Sequence, residues 1–499
     1  MDQQIKKSIQ QARLLREAML ADPYRPKYHI VTPEGVYRPF DPNGAIFWKG
    51  RYHLMYIIQT EKGHCWAHIS SKDLVHWRHH PLALEPGGID TGIFSGGAFI
   101  DKNGIPTITY WGLGEEAGIC LATSTDDELV TWSKISENPV IHQSSLGIAL
   151  TTDGEPYGAA DPSAIWVHNN RYYMLTGNLL VMREYGWNQK IAEYNTGDTA
   201  YLLVSDDLVH WEYLHPFYQS DRKWTRDDED NMGPDFVPLG DRHMLLFISH
   251  NLGCQYYIGR YADDRFYPES HGRMTWVDNA FFAPESLLDE QGRRIMWAWI
   301  KDGREPATCE ASGWSGVMSL PRVLWLGEDK TLRMAPVEEL SLLRYNPRKY
   351  AELMIEQDKE LLLDDIKGTS FELKLELASD RATQFGVKIA CSPDGDEQTA
   401  IFYDRADKQL KIDTTCSSLG EGPKSVEAGP LELMPDELLE LRIFVDGSVI
   451  EVFANDRQAV TRQIYPTRKV SLGVSLFSHG DATTVISLEA WDMAPANPF

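Results

Sequence analysis

A short phrase recurs through the first half of this chain and constrains its fold more than any single residue does. Ser71-Lys72-Asp73-Leu74-Val75-His76-Trp77 returns as Thr125-Asp126-Asp127-Glu128-Leu129-Val130-Thr131-Trp132 and again as Ser205-Asp206-Asp207-Leu208-Val209-His210-Trp211. Each copy follows an apolar strand and opens with residues that turn the backbone. Self-similarity of this kind marks radial repetition, in which one small sheet is copied around a centre. A tryptophan repeated after Leu-Val reads as packing of the repeated unit, not as a ligand platform. From about Tyr24 to Trp325, short aromatic-rich strands alternate with Gly, Pro, Asn and Asp turns, with almost no helical periodicity.

The pattern changes beyond Glu338. The segment 338–359, with Leu340, Leu342, Leu343, Tyr350, Leu353 and Ile355, reads as a partly helical linker. Residues 360–499 then alternate with period two, as in Ser370-Phe371-Glu372-Leu373-Lys374-Leu375 and Leu441-Arg442-Ile443-Phe444-Val445, which is what a β-sandwich needs. At the other end, Ile5, Ile9, Ala12, Leu15 and Met19 recur at helical spacing before Pro23. The expected division is a helix over 1–23, a repetitive all-β domain over 24–337, the linker, and the sandwich.

Composition excludes several classes of partner. With 48 basic against 73 acidic residues, the net charge of -25 argues against nucleic acid and anionic membranes. No stretch is long and apolar enough to span a bilayer. The six cysteines, Cys65, Cys120, Cys254, Cys309, Cys391 and Cys416, show neither Cys-x-x-Cys spacing nor paired histidines, so neither a disulfide framework nor a zinc site is expected. Met1 to Asp22 carries charge throughout and is not a secretory signal, which makes a cytoplasmic location the expectation.

The run Asp41-Pro42-Asn43-Gly44 is, as residues alone, a turn; here an apolar aromatic strand, Ala45 to Leu54, follows it. The whole segment from Tyr37 resembles the nucleophile motif of glycoside hydrolase family 32, the invertases and fructan hydrolases. The resemblance extends over nearly the whole chain apart from the N-terminal helix. It implies an all-β fold, a five-bladed β-propeller followed by a C-terminal β-sandwich, with the active site in the propeller funnel. Retaining glycoside hydrolysis uses two carboxyl groups about 5–5.5 Å apart, a nucleophile and a proton donor. The resemblance makes Asp41 the nucleophile and Asp161, in Ala160-Asp161-Pro162, the transition-state stabiliser, although Ala160 stands where the family motif has arginine. For the proton donor, Pro234-Asp235-Phe236 matches the downstream half of the family's motif, but Met232 occupies the glutamate position and Gly233 the cysteine position. Glu229, in the acidic run Asp227 to Asp230, is the expected acid, Asp230 the next choice, and Glu285 a further one.

Other segments carry binding candidates over from the family. His64-Cys65-Trp66 and Phe94-Ser95-Gly96 resemble sugar-contacting segments, which brings in Trp66, Phe94 and Ser95. Asn43, Gln59, Asp230, Asp235, Glu285, Glu310 and Trp314 complete the expected substrate-binding set, with Glu285 where glutamine is usual and Trp314 offering a platform. The expected activity is retaining hydrolysis of β-fructofuranosides, without metal or organic cofactor and with a small carbohydrate as partner. Fructosyl transfer, action on an unusual fructose disaccharide or anhydride, and a sugar-binding propeller without catalysis remain alternatives. The sandwich could supply a homo-oligomer contact.

Overall fold

The computed structural model describes residues 3–32, 39–114, 116, 118–179 and 197–496. Tyr37 and Arg38, at the head of the Asp41 segment, lie outside the described residues. Almost all the rest is strand. The first sheet is a meander of Pro39–Trp48, Arg51–Thr60, Gly63–Ser71 and Trp77–His79, each strand antiparallel to the last. A six-stranded sheet follows within residues 92–142, then a two-stranded ribbon, Ile148–Leu150 with Pro156–Gly158. Two further four-stranded meanders span residues 166–216 and 232–273, and a five-stranded sheet spans 281–336. The first strand of the first sheet packs against Ala98–Ile100 on one side and against Phe281–Leu288 of the five-stranded sheet on the other, so the succession of sheets closes on itself.

The repeated phrase has one physical job. Asp73 Oδ1 accepts the backbone N–H groups of Val75 and His76 at 3.1 and 2.8 Å, and Asp207 repeats this on Val209 and His210 at 3.0 and 2.8 Å. This aspartate-capped turn lets the intervening Leu74, Leu129 and Leu208 take left-handed backbone conformations, φ 63°, 54° and 71°. Trp77 then packs edge-on against Trp297, and the Trp211 indole N–H bonds the Leu208 carbonyl. These tryptophans are packing elements.

Two six-stranded antiparallel sheets make up the C-terminal part, and their facing residues, among them Leu373, Val387, Ile401, Ile443, Val452 and Leu476, form one apolar core. The segment read as a linker is ordered secondary structure: a 3-10 helix over Glu338–Leu343, then strand Arg344–Ile355, which pairs with the last strand, Thr483–Met493. Leu340 and Leu343 point into the preceding core and are buried. The N-terminal helix, Gln3–Ala21, forms as its periodicity predicts, but only Met19 is buried; Ile5 and Ile9 are exposed.

Residues 22–32 bind the two parts together. The Asp446 carboxylate accepts the backbone N–H groups of Lys27, Tyr28 and His29 at 2.6–2.8 Å and the His29 ring N–H at 2.9 Å. Glu451, buried with Arg322 between Phe281 and Phe453, takes the other His29 nitrogen and the Leu320 N–H. Burial works against charge on His29, yet hydrogen bonds to Asp446 and Glu451 raise its pKa to about 9.

Candidate active site

The Asp41 segment sits where three sheets meet, and its sequence explains how. Pro42, Asn43 and Gly44 break the ladder between the first two strands, with register shifts on either side of Pro42-Asn43. The freed groups turn outward to neighbouring sheets. Asn43 Oδ1 accepts the Gly96 N–H at 2.9 Å while its amide bonds the Asp41 carbonyl at 2.7 Å; Gly44 N–H reaches the Gly96 carbonyl at 3.2 Å. Glycine is required at position 44, where φ is 55° and a Cβ would press on Met55 and Trp66 at 3.1 Å. On the other side Ala45 N–H donates to Glu285 of the five-stranded sheet at 3.0 Å.

The result is a pocket lined by Asp41, Asn43, Ser95, Asp161, Gly233, Pro234, Ile248, Ala283 and Glu285, among others. Ser95 joins the two aspartates: its hydroxyl donates to Asp41 Oδ2 at 2.7 Å and its backbone N–H faces the Asp161 carboxyl. Asp161 has a left-handed backbone, φ 38°, and its buried Oδ1 has no hydrogen-bond partner among the described residues. Burial raises the pKa of Asp161 to about 7, with the Asp41 charge adding to the rise. Burial also raises Asp41, against the Ser95 hydrogen bond and the positive charges of His250 and Lys301, which favour its ionised form. A carboxyl with one oxygen unbonded, facing a second carboxyl in a pocket, is suited to stabilising positive charge that develops on a bound substrate.

Beneath them, burial and the neighbouring Asp235 push Glu285 well above the usual carboxylate range, and burial raises Asp235 as well. Both acids face one guanidinium, that of Arg294, whose charge works against the rise. Glu285 braces the Asp41 turn through the Ala45 N–H, and Asp235 is fixed by Ser286 at 2.5 Å.

Glu229 does not join this pocket, and its role must be corrected. Its carboxylate accepts two bonds from Arg273 at 2.8 and 3.0 Å, one from Gln255 at 2.5 Å and the Arg226 N–H at 2.9 Å. Burial opposes its ionisation, but these partners win and hold it below the usual range, the opposite of what a proton donor needs. Asp230, the adjacent residue, turns the other way and bonds His250. Two platform readings also fail. Trp66 is fully buried with its N–H on the Phe94 carbonyl at 3.1 Å, and Trp314 is buried under Arg304 with its N–H on Asp22 at 2.6 Å; neither has a face to offer a sugar. Glu310 is exposed on the short helix Pro306–Ser312 and does not line the pocket. Phe94 is half-buried beside His64 and Trp111, and Gln59 is exposed one residue past Ile58, the register partner of Pro39, at the pocket end of its sheet.

The structure brings in residues that sequence reasoning missed. His250 packs on the edge of Phe282, Lys301 lies over the faces of Phe282 and Trp299, and Phe40 meets Trp299 edge-on. His250 and Lys301 both act on the Asp41 charge. Neither stands in a recognisable motif; the Asp230 beside Glu229 was the one available signal. The two departures from the family motifs meet. Ala160 and Met232 belong to one apolar cluster with Ile248 and Phe282, with Gly177 between them: it pairs with Ala160 and lies against the Met232 thioether.

Residues 29–336 match the Glycosyl hydrolases family 32 N-terminal domain, and residues 339–492 match Glycosyl hydrolases family 32 C terminal. The chain belongs to glycosyl hydrolase family 32. Within this family it is 28% identical over 521 residues to sucrose-6-phosphate hydrolase of Zymomonas mobilis, covering 96% of this chain and 94% of that one. It is 29% identical to the levanase of Bacillus subtilis over 507 residues, covering 93% of this chain and 70% of the levanase. The fold is similar to that of fructan 1-exohydrolase IIa from Cichorium intybus, with TM-score 0.82, 24% identity, and coverage of 95% and 98% of the two chains. This family-32 chain is therefore a glycosidase by descent.

Proposed function

We propose that this family-32 chain hydrolyses β-fructofuranosides with retention of configuration. Asp41 attacks the anomeric carbon to form a fructosyl ester, and Asp161 stabilises the oxocarbenium-like transition state. The observation that carries this reading is the pairing of Asp41 and Asp161 through Ser95 in one pocket. What the relatives' names share, as sucrose-6-phosphate hydrolase, levanase and invertase, is the fructosyl unit. Asn43 and Ser95 hold the pocket in shape, while Phe94 and Gln59 contact the substrate at its rim. The five larger sheets within residues 24–337 are the blades of a propeller, and residues 360–499 form a β-sandwich onto which strand 344–355 is added. The substrate is a small fructoside met in the cytoplasm, and no cofactor enters the chemistry.

A second reading, a sugar-binding propeller without turnover, is favoured by the apolar Ala160 and Met232. The test is release of free fructose from sucrose, inulobiose, levanbiose and short fructans by the wild type and by Asp41→Asn. Release that disappears in a folded Asp41→Asn protein supports hydrolysis. Fructoside binding without release by the wild type supports the second reading, and products carrying fructose on a sugar acceptor indicate transfer.

A further inference from the structure

Hydrolysis as proposed above requires a proton at the leaving oxygen, so the identity of its donor rests on that reading. Of the three carboxyls expected to supply it, Asp230 is bonded to His250, and Glu285 is engaged by the Ala45 N–H under the Asp41 turn. Position 232 carries a thioether buried in an apolar wall, and Glu229 is bound to Arg273 away from the pocket. On the same side, two residues past the pocket-lining Ile248, His250 opens the turn that leaves strand Arg242–Ser249. Its ring is fixed from behind. Nδ1–H donates to Asp230 Oδ2 at 2.6 Å, and Oδ1 of the same carboxylate accepts the backbone N–H of His250 at 2.8 Å. The Asp230 side chain is fully buried, whereas that of His250 keeps 26% of its surface exposed. Phe282, whose neighbour Ala283 lines the pocket, packs its ring against the imidazole with centroids 5.7 Å apart.

We infer that His250 is the proton donor of this enzyme and Asp230 its positioning residue, together replacing the glutamate that the family motif carries at position 232. The bond from Nδ1–H to Asp230 places the transferable proton on Nε2. As Asp41 attacks the anomeric carbon, the glycosidic C–O bond breaks, its electron pair stays on the leaving oxygen, and that oxygen takes the Nε2 proton. The imidazole, now neutral, accepts a proton from water as the water oxygen attacks the same carbon. The ester to Asp41 breaks, fructose leaves, and both His250 and the Asp41 carboxylate return to their starting states.

The surroundings keep the acid form populated. Among the described residues, the charged groups facing the imidazole are Asp230, Asp161 and Asp41, and Lys301 sits over the shared Phe282. Burial works against the imidazolium, but the three carboxylates overcome it and lift His250 above its ordinary range.

The deciding experiment compares His250→Ala, Asp230→Asn and Glu229→Gln with the wild type on sucrose and on β-fructofuranosyl fluoride, whose leaving group needs no proton. We expect His250→Ala to lose about 100-fold or more in release from sucrose while its first turnover of the fluoride stays within about tenfold, since general acid catalysis contributes roughly 10²–10⁴-fold. Added azide should restore fluoride turnover in this variant and yield fructosyl azide, because azide needs no general base. Asp230→Asn should move the alkaline limb of the wild-type pH profile to lower pH, since the imidazolium loses its nearest countercharge. Equal loss on both substrates by a folded His250→Ala protein, or sucrose turnover retained by it, overturns the assignment; the sucrose-specific loss appearing in Glu229→Gln instead does the same. A wild type inert on both substrates overturns the hydrolase reading and the dyad with it.

Discussion

Replacing Asp161 by asparagine should make the protein more stable, and more so in alkali than in acid. The Asp161 carboxyl has a pKa of about 7 in the folded chain against 3.8 as a reference. The folded state therefore binds this proton more tightly than the unfolded state, so the group's contribution to stability falls as pH rises between about 4 and 7. A difference of roughly three pH units at 1.36 kcal/mol each amounts to ~4 kcal/mol of destabilisation above pH 7. At pH 5 the folded carboxyl still holds its proton, and the same linkage leaves roughly 1.5–2 kcal/mol. Asparagine keeps the shape and never ionises, so the gain on substitution should be about 2–3 kcal/mol larger at pH 8 than at pH 5. For a chain of this size that corresponds to an extra rise in melting temperature of roughly 2–3 °C. Differential scanning calorimetry of both proteins at the two pH values measures it. Any change in packing caused by the amide is common to both conditions and cancels. A melting-temperature difference that does not depend on pH, or that is larger at pH 5, would refute the account of Asp161 as an ionised group held under strain. Repeating the comparison in an Asp41→Asn background should shrink the alkaline gain, because the Asp41 charge is part of what raises Asp161.

Three other substitutions test separate contacts. Ser95→Ala removes the hydroxyl bonded to Asp41, which favours the ionised nucleophile; fructose release should fall most at acid pH, with the acidic limb of the pH profile moving up by about one pH unit. Glu285→Gln should change stability and activity little, because burial and the neighbouring Asp235 favour the uncharged form of Glu285. Glu285→Ala leaves the Ala45 N–H unbonded and should cost about 1–3 kcal/mol in denaturant titrations. His29→Gln should cost about 3 kcal/mol below pH 6.5, and that difference should disappear as pH rises through about 9, since the folded pKa of His29 is raised.

The repeat, the period-two strands of the second half and the Asp41 turn were legible because each is a local pattern with a local physical cause. Asp73 and Asp207 cap turns that lie within three residues of themselves. Asp41, Asn43 and Ser95 were legible for a different reason, the motif resemblance, and the contacts among them follow from the broken ladder at Pro42. The directions taken by the two carboxylates of the acidic run were not legible. Glu229 and Asp230 are adjacent, and nothing local says which of them turns toward Arg273 and which toward His250; that depends on residues 20 and 44 positions further along. Trp66 and Trp314 misled for a related reason. An indole suits a sugar ring and a core equally well, and only the approach of Gly44 or Arg304 decides between them. The segment after Glu338 read as a linker because the partner of strand 344–355 lies at the far end of the chain, in residues 483–493.

The strap formed by residues 22–32 has a consequence for biosynthesis. His29 is bonded to a carboxylate 417 positions later, and Lys27 and Tyr28 depend on the same side chain. At about 5–20 residues per second, a ribosome takes roughly 20–80 seconds to travel from one to the other. Throughout that interval the start of the chain has been made but lacks its anchor, while the sheets that close around Asp41 are already complete in sequence. The opening residues of this protein are thus among the last to find their place.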